Sequence, residues 1–378
     1  MTGFLDIADY AAAETAALRT VPNQALGAFL PVTFQEYNYP GLVADEAELI
    51  RYVDTMQEEY GRLYIDPDYP LSVDEATLVR SVAEDVCQFT ARHFGRSIRP
   101  WLAPIAAVEI FRLINAWAAF TGKKQMTVFE FGPGSGYLGA LLYKAGHRHI
   151  SMDNCQAFYL WQNRLYRTIS GEDLNEAAAE EILPEDRGMR MIHIPWWRFL
   201  EFSKSIPFEV DFIVSEHNLT EMSSAARLFN LRVARRMLRK DGVSCFGFRH
   251  LGAASKQGGT RDSLFAEFDA AGFETIFKRL FFAALPKGSV FSELTIPHSL
   301  VASPHLLPRL FIKVRRQLLR KRHPILALDA NIPLYAPSGR SQIIMGRDVV
   351  PFLSEEEPFD YPFLRFIGKS VPAPHSGG

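Results

Sequence analysis

Residues Val128 to Leu142 read VFEFGPGSGYLGALL and join three signals in one segment. An apolar run typical of a β-strand comes first, alternating glycines follow, and an apolar helical pattern completes the segment. The glycines Gly132, Gly134 and Gly136 allow the backbone to turn tightly and to approach a ligand closely. The helix that follows begins with unpaired N–H groups, which favour an anionic ligand group. The segment therefore predicts a strand, a ligand-binding loop and a helix in direct succession.

Strand-like and helix-like patterns alternate around and beyond this loop. The β-type runs are Thr127 to Phe131, His149 to Asp153, Met191 to Ile194, Val210 to Ser215 and Val243 to Arg249. The helical patterns are Leu138 to Ala145, Cys155 to Thr168, Ser223 to Lys240 and Arg261 to Ala271. Such alternation predicts an α/β fold with a Rossmann-like, doubly wound, mostly parallel sheet over residues 125–290.

The N-terminal region, residues 1–124, has a mainly helical pattern. Its helical patterns cover Asp45 to Ile65, Ser72 to Phe94 and Pro104 to Thr121. Ser72 and Glu75 form a capping-box pattern at the start of the second of them. The third, Pro104 to Thr121, is apolar on nearly all sides, and we therefore expect it to be buried. We predict that this region forms a cap over the ligand site or an oligomerisation surface, with a homodimer as one outcome.

The C-terminal extension, residues 291–378, contains a strongly basic segment. Residues 294–328 hold seven Lys or Arg and no Asp or Glu. Within them, residues 308–322 have an amphipathic helical pattern. We favour a surface helix that packs on the sheet through Phe311, Val314 and Leu318. Peripheral contact of residues 308–322 with an anionic membrane is the alternative.

The composition is that of an ordinary globular protein. Of the 378 residues, 48% are hydrophobic and 22% are charged, which excludes a wholly disordered chain. The formal net charge of −2 provides no global field for nucleic-acid binding. Three cysteines without a CxxC pair, and a start without a long apolar stretch, predict a cytoplasmic protein. We predict no transmembrane segment, because no stretch approaches the roughly 20 apolar residues that a span requires.

Two kinds of cofactor use a glycine loop of this type. Gly134 to Gly139 reads GSGYLG, which matches the dinucleotide-binding pattern GxGxxG. Asp153 follows Gly134 by 19 residues and suits a ribose in either case. Glu130, at the end of the strand, favours the cationic amino group of S-adenosylmethionine, and we interpret Gly139 as a small helical residue rather than a packing glycine. S-adenosylmethionine is the cofactor we predict; an NAD(P)-dependent oxidoreductase is the alternative.

At these residues the chain resembles class I S-adenosylmethionine-dependent methyltransferases. The resemblance rests on Glu130 to Gly136, with Asp153 at the end of the next strand. The segment DFIVSEHNLTEMS, Asp211 to Ser223, is similar to the loop after the fourth strand in sugar O-methyltransferases. The resemblance covers about residues 125–285 and implies an O-methyltransferase acting on a small molecule, namely a sugar or glycan hydroxyl. A catalytically silent, methyltransferase-like subunit that binds a partner is a further alternative.

The resemblance also implies roles for individual residues. Glu130 is expected to face the methionine amino group, and the three glycines to pass under the methionine and the ribose. Asp153 is expected to bind the ribose hydroxyls, with Asn154 nearby. Trp196, after the third strand, is our candidate for stacking on adenine, with core packing as the alternative. The predicted cofactor-binding set is completed by Ser135, Tyr137 and Ser215.

Polar residues after the fourth strand are the catalytic candidates, because such sheets bind ligands at the carboxyl ends of their strands. His217 is our first candidate for the general base, since imidazole is largely neutral near pH 7 and can accept a hydroxyl proton. Glu216 and Glu221 are further candidates, and His250 ranks below His217. We predict no metal, because three consecutive residues such as Glu216 to Asn218 rarely converge on one ion.

Overall fold

The computed structural model describes residues 3–20, 42–51, 62–65, 71–98, 100, 103–181, 188–202, 204–216, 218–222, 224–246, 261–278, 282–296, 305–323, 325 and 342–345. The helices are α1 Ile7–Leu18, α2 Val73–Phe94, α3 Ala103–Thr121, α4 Tyr137–Lys144, α5 Gln156–Ser170, α6 Trp196–Glu201, α7 Asn218–Glu221, α8 Ser224–Met237, α9 Arg261–Ala270 and α10 Leu306–Arg322. The strands are β1 Arg62–Ile65, β2 Thr127–Phe131, β3 Arg148–Asp153, β4 Leu174–Glu176, β5 Met191–Pro195, β6 Val210–Ser215, β7 Leu238–Phe246, β8 Phe273–Lys278, β9 Phe282–Pro286 and β10 Gln342–Met345.

The central sheet has the strand order β4-β5-β3-β2-β6-β7-β9-β8. Pairs from β4 to β7 are parallel, whereas β9 runs antiparallel to both of its neighbours, β7 and β8. Helices lie against this sheet, among them α5 and α6. The predicted fold class, a Rossmann-like, doubly wound, mostly parallel sheet, is confirmed.

The strand order reverses between β2 and β6. After β2 the chain adds β3 and β5 on one side, and then crosses to β6 on the other side. Open α/β sheets bind ligands at this reversal, outside the carboxyl ends of the strands. The register sets Phe131 level with Met152 on β3 and with Ser215 on β6. The residues that follow β2, β3 and β6 therefore emerge at one edge of the sheet.

The two faces of β2 have different neighbours, because side chains alternate along a strand. Phe129 and Phe131 face α6, where the ring of Phe131 lies 5.4 Å from that of Phe199. Glu130 points to the opposite face, where His149 accompanies it. Glu130 is therefore on the side of the sheet that α5 covers, where the ring of Tyr166 lies 5.5 Å from that of His149.

The N-terminal helices pack against the sheet domain. The capping box of Ser72 and Glu75 is present at the start of α2, as predicted, and the helix ends at Gly95. The next helix, α3, lies along α4, and the indole of Trp117 donates a hydrogen bond to the carbonyl of Asp241 at 3.3 Å. The apolar surface of α3 is thus covered by the domain that carries the glycine loop.

Some predicted elements differ from the structure. Residues 62–65 do not end a helix but form β1, which pairs antiparallel with β10. The helix predicted to run to Lys240 ends at Met237, and β7 begins at once because its residues pair with β6. The short edge strand β4 and the antiparallel β8–β9 hairpin were not predicted. These strands are defined by their partners in the sheet rather than by a local pattern of their own.

The basic helix α10 corrects the packing interpretation made from the sequence. Phe311, Val314 and Leu318 were expected to lie on the sheet, but they are 57%, 57% and 63% exposed. The opposite side of the helix faces the protein instead, where Leu319 packs against the core and Arg316 donates a hydrogen bond to the carbonyl of Ile276. Among the described helices, none is both long and apolar enough to traverse a bilayer.

Candidate functional site

The glycine loop has a backbone that only glycine adopts readily. Gly132, Gly134 and Gly136 have φ values of +59°, +57° and +75°, in the left-handed region. A Cβ on Gly132 would collide with the side chain of Asn218. A Cβ on Gly134 would meet nothing closer than the ring of Phe158 at 4.0 Å. The side chain of Asn218 therefore blocks the loop at Gly132, whereas the half-buried Gly134 has space beside its backbone for at least a methyl group.

Helix α4 begins directly after the loop, at Tyr137, without a side-chain cap at its first N–H groups. Uncapped N–H groups at a helix start bind anionic groups, because they carry the positive end of the helix dipole. Tyr137 itself is buried and Ser135 is half-buried within the loop. The predicted anion site at this helix start is therefore compatible with the backbone geometry.

Two side chains of helix α5 hold the glycine loop by hydrogen bonds to its carbonyl groups. The amide of Gln162 donates a hydrogen bond to the carbonyl of Gly134 at 2.8 Å, and the indole of Trp161 donates one to the carbonyl of Ser135 at 3.1 Å. The same Gln162 amide nitrogen also donates to Asp153 Oδ2 at 2.7 Å. One side chain therefore fixes the glycine loop relative to the carboxylate at the end of β3.

Asp153 is a buried carboxylate at the carboxyl end of β3. Its Oδ1 accepts a hydrogen bond from the backbone N–H of Cys155 at 2.9 Å, and Asn154 beside it is half-buried. Burial raises the pKa of Asp153 to about 6, against the opposing hydrogen bonds from Cys155 and Gln162. The carboxylate is therefore mainly ionised at pH 7 and can accept hydrogen bonds from ligand hydroxyls.

A buried polar network continues from Gln162 to the edge strand β4. Gln162 Oε1 lies 3.0 Å from His193 Nε2, and His193 Nδ1 lies 3.0 Å from Glu176 Oε2. Glu176 also accepts hydrogen bonds from Asn163 and Tyr159. Although burial raises the pKa of Glu176, its interactions with His193 and these donors outweigh that effect, and the pKa lies below its usual value.

The same network fixes the direction of the Gln162 amide. The Gln162 nitrogen is already a donor to Gly134 and Asp153, so the oxygen of Gln162 faces His193 and accepts from Nε2. His193 therefore links Gln162 to Glu176, and this chain of contacts orients the amide that holds Asp153.

Glu130 lies beneath the loop rather than on an open surface. It is 4% exposed, and its Oε2 is 2.8 Å from His149 Nε2. Burial raises the pKa of Glu130 despite this hydrogen bond, and the charge of Glu216 adds to the rise. Glu130 and Glu216, two of the predicted site residues, are therefore close enough to interact electrostatically.

Gly139 has a packing role that the sequence interpretation did not give it. A Cβ at this position would overlap the imidazole ring of His149. Because Gly139 has no side chain, the first turn of α4 approaches β3 more closely than it could with any other residue at this position. The interpretation of Gly139 as an ordinary small helical residue is wrong, and this argument against a dinucleotide falls away.

Trp196 is packed under the N-terminal helix. The side chain is 1% exposed, and its indole donates a hydrogen bond to Glu14 on α1 at 2.8 Å. The prediction that Trp196 stacks on adenine is wrong. The indole is covered by α1 and has the alternative role, core packing.

Tyr10, on the same helix, is a candidate residue that the sequence analysis missed. Its ring lies 5.0 Å from that of Tyr159, and its buried hydroxyl has no hydrogen-bond partner among the described residues. Burial raises the pKa of Tyr10 well above its usual value, and the charges of Glu14 and Asp153 add to the rise. The unpaired hydroxyl therefore lies near Asp153. Tyr10 and Glu14 are four residues apart and share one face of α1, which is the signal that could have identified them.

The carboxyl end of β6 supplies further polar atoms. Ser215 Oγ and Asn218 Oδ1 are buried and lack a hydrogen-bond partner among the described residues. Glu216, which lies between these two residues in the sequence, is half-buried. His217, His250 and the side chain of Glu221 lie outside the described part of the structure, so their roles stay predictions.

No known protein family and no curated protein matches the sequence. Among solved structures, the chain is similar to a TehB-like SAM-dependent methyltransferase from Corynebacterium glutamicum, with 18% identity, a TM-score of 0.33, and 47% of this chain and 85% of that chain covered. It is also similar to magnesium protoporphyrin IX methyltransferase from Synechocystis, with 11% identity, a TM-score of 0.31, and 57% and 99% covered. A likeness at this level identifies no substrate or activity for this chain.

Proposed function

We propose that the chain is an S-adenosylmethionine-dependent O-methyltransferase that acts on a small molecule. The observation that carries the proposal is the Gln162 amide, which fixes an open glycine loop and a buried carboxylate relative to each other at the strand-order reversal. In the proposal, Asp153 accepts hydrogen bonds from the ribose hydroxyls. The uncapped start of α4 receives the carboxylate of the methionine part.

The sheet favours this cofactor over a dinucleotide. A dinucleotide-binding sheet of order 3-2-1-4-5-6 has parallel strands throughout. Here β5, β3, β2, β6 and β7 have the corresponding order, but the strand beside β7 is the antiparallel β9. The packing of Gly139 against His149 is the one observation that favours a dinucleotide, and NAD(P)-dependent oxidation is therefore kept as the second candidate.

The edge formed by β6 is the proposed acceptor side. Bound S-adenosylmethionine supplies a methyl group that is activated by the positive charge of the sulfonium. A hydroxyl acceptor must be aligned with that group and must lose a proton. Ser215 and Asn218 offer unpaired oxygens for positioning, and His217 or Glu216 takes the proton in the proposal. The similarity of Asp211 to Ser223 to sugar O-methyltransferases makes a saccharide hydroxyl the proposed acceptor.

Calorimetric titration of the full chain with S-adenosylmethionine, S-adenosylhomocysteine and NAD(H) tests the cofactor. We expect the first two to bind and NAD(H) not to bind, and tighter binding of NAD(H) would overturn the proposal in favour of the oxidoreductase. The acceptor is tested by mass spectrometry of a saccharide panel after incubation with S-adenosylmethionine. A chain that binds S-adenosylhomocysteine but methylates no acceptor would instead be the silent subunit.

A further inference from the structure

Helix α10 exposes six large apolar side chains. Its large exposed apolar residues form what we term the α10 stripe: Leu306, Leu307, Leu310, Phe311, Val314 and Leu318. The least exposed of them, Leu310, is still 47% exposed. A contiguous exposed patch of this kind on a folded protein marks an interaction site.

The helix geometry separates this stripe from the side that holds the helix in place. At about 100° per residue, Leu307, Phe311, Val314 and Leu318 fall within a strip of about 60°. The other side carries Leu319, which packs against the core, and Arg316, which is bound to the carbonyl of Ile276 at 2.8 Å. The protein thus fixes the helix along one side and presents the stripe outward.

The charged side chains of α10 itself are all cationic, whereas the neighbouring carboxylate of Glu293 lies 3.3 Å from His323 at the C-terminal end of the helix. Residues 294–328 contain seven Lys or Arg and no Asp or Glu, although the whole chain has a net charge of −2. Lys313, Lys321 and Arg322 are exposed. The surface therefore attracts a partner that is both anionic and apolar.

We propose that the α10 stripe docks the protein on the headgroup region of an anionic membrane. An amphipathic helix with large aliphatic and aromatic residues on one face and cations beside it lies in the plane of such an interface. The apolar side chains enter the boundary with the acyl chains while the cations meet lipid phosphates. A nucleic acid offers the phosphates but no apolar layer for the stripe. A second copy of the chain would bring cations against cations. The proposal does not depend on the cofactor.

Co-sedimentation of the full-length protein with lipid vesicles tests this surface. We expect binding to phosphatidylcholine vesicles that contain phosphatidylglycerol, no binding to pure phosphatidylcholine, and weakening at high salt. The double variant Phe311→Ser/Leu318→Ser should lower the partition constant by about tenfold or more. Lys313→Gln/Lys321→Gln should weaken binding and reduce its salt dependence. The substituted side chains are exposed, so each variant should keep the wild-type melting temperature.

A matched control is available because other large apolar residues are exposed elsewhere. Val73 and Val290 are 60% and 63% exposed, and Val73→Ser/Val290→Ser should leave vesicle binding unchanged. Equal binding to both vesicle types, or wild-type binding by Phe311→Ser/Leu318→Ser, would overturn the proposal. It would also be overturned if that variant converted a dimer to a monomer in light scattering without affecting vesicle binding. Binding to a duplex oligonucleotide that the serine substitutions do not alter, in place of vesicle binding, would do the same.

Discussion

Gln162 holds Asp153 by a hydrogen bond of 2.7 Å from the same amide nitrogen that holds the glycine loop at Gly134. The relationship makes one α5 side chain a link between the two parts of the proposed cofactor site, in addition to the backbone hydrogen bond from Gly132 N–H to the carbonyl of Met152 at 2.8 Å. The ring of His193, whose Nε2 lies 3.0 Å from Gln162 Oε1, fixes the direction of this amide. The relative positions of the glycine loop and Asp153 are thus set before any ligand binds.

Removing the Gln162 amide should loosen the glycine loop relative to Asp153. Gln162→Ala loses three hydrogen bonds, to Gly134, Asp153 and His193, and should weaken S-adenosylhomocysteine binding by about 10- to 100-fold in calorimetry. Gln125→Ala is the control, since Gln125 also donates to a backbone carbonyl, that of Gly146, but on the surface. Equal affinity of the two variants would contradict the positioning role.

The pKa of Asp153 predicts a pH dependence of binding. Ribose hydroxyls donate to the ionised carboxylate, and the ligand-free carboxylate titrates at about 6. The dissociation constant of S-adenosylhomocysteine should therefore rise as the pH falls through 6, and it should be level above pH 7. Calorimetry between pH 5 and 8 measures this. In Asp153→Asn the overall affinity should be lower and this step should be absent.

The same shift predicts that Asp153 lowers the stability of the ligand-free protein at neutral pH. The pKa is higher in the folded state than the ordinary value of 3.8, so the folded state binds the proton more strongly between pH 4 and 6. The free energy of unfolding of the wild type, minus that of Asp153→Asn, should therefore fall as the pH rises across this window. The change should be at most about 3 kcal/mol. Denaturant unfolding of both proteins at pH 4 and at pH 6 measures this change. A difference in unfolding free energy that rises with pH would contradict the raised pKa of Asp153.

Tyr10→Phe should weaken ligand binding without lowering the stability of the ligand-free protein. The Tyr10 hydroxyl is buried without a partner among the described residues, so its removal should leave the ligand-free melting temperature unchanged or raise it. Affinity for S-adenosylhomocysteine should fall severalfold if the ligand is the missing partner. Tyr143→Phe is the matched control, because its hydroxyl is bonded to Asp173 at 2.9 Å. That control should lower the melting temperature and leave the affinity unchanged.

The general base is tested by substitution at two neighbouring positions. His217→Asn should keep the affinity for S-adenosylhomocysteine and lower kcat by about 10²-fold, the lower end of the effect expected for a lost base. Glu216→Gln should have a smaller effect on kcat if His217 is the base. The opposite order would transfer the proton-accepting role to Glu216.

Much of the central domain could be predicted because local patterns and the fold agree there. The strand Thr127–Phe131, the glycine loop and the helix after it are encoded within 20 consecutive residues. Asp153 could be found because the strand pattern ends at this residue. In each of these cases the physical cause, whether a glycine φ or an apolar run, lies in the segment itself.

The remaining features depend on contacts between distant segments. Gln162 and His193 are 31 residues apart, and no local pattern indicates that one orients the other. Trp196 was misjudged because the helix that covers it, α1, lies more than 170 residues earlier in the chain. The strand β7 was placed too late because its pairing with β6 overrides the helical pattern that precedes it.

The position of α1 has a consequence for kinetics. Tyr10 and Glu14 lie over the end of β3, and Asp153 is only 3% exposed beneath them. In the proposed function, movement of α1 exposes that carboxylate to a nucleoside. Association should therefore be limited by a unimolecular opening step, and its observed rate should approach a plateau at high ligand concentration. A bound ligand would in turn slow proteolysis and amide exchange in the first 18 residues of the chain.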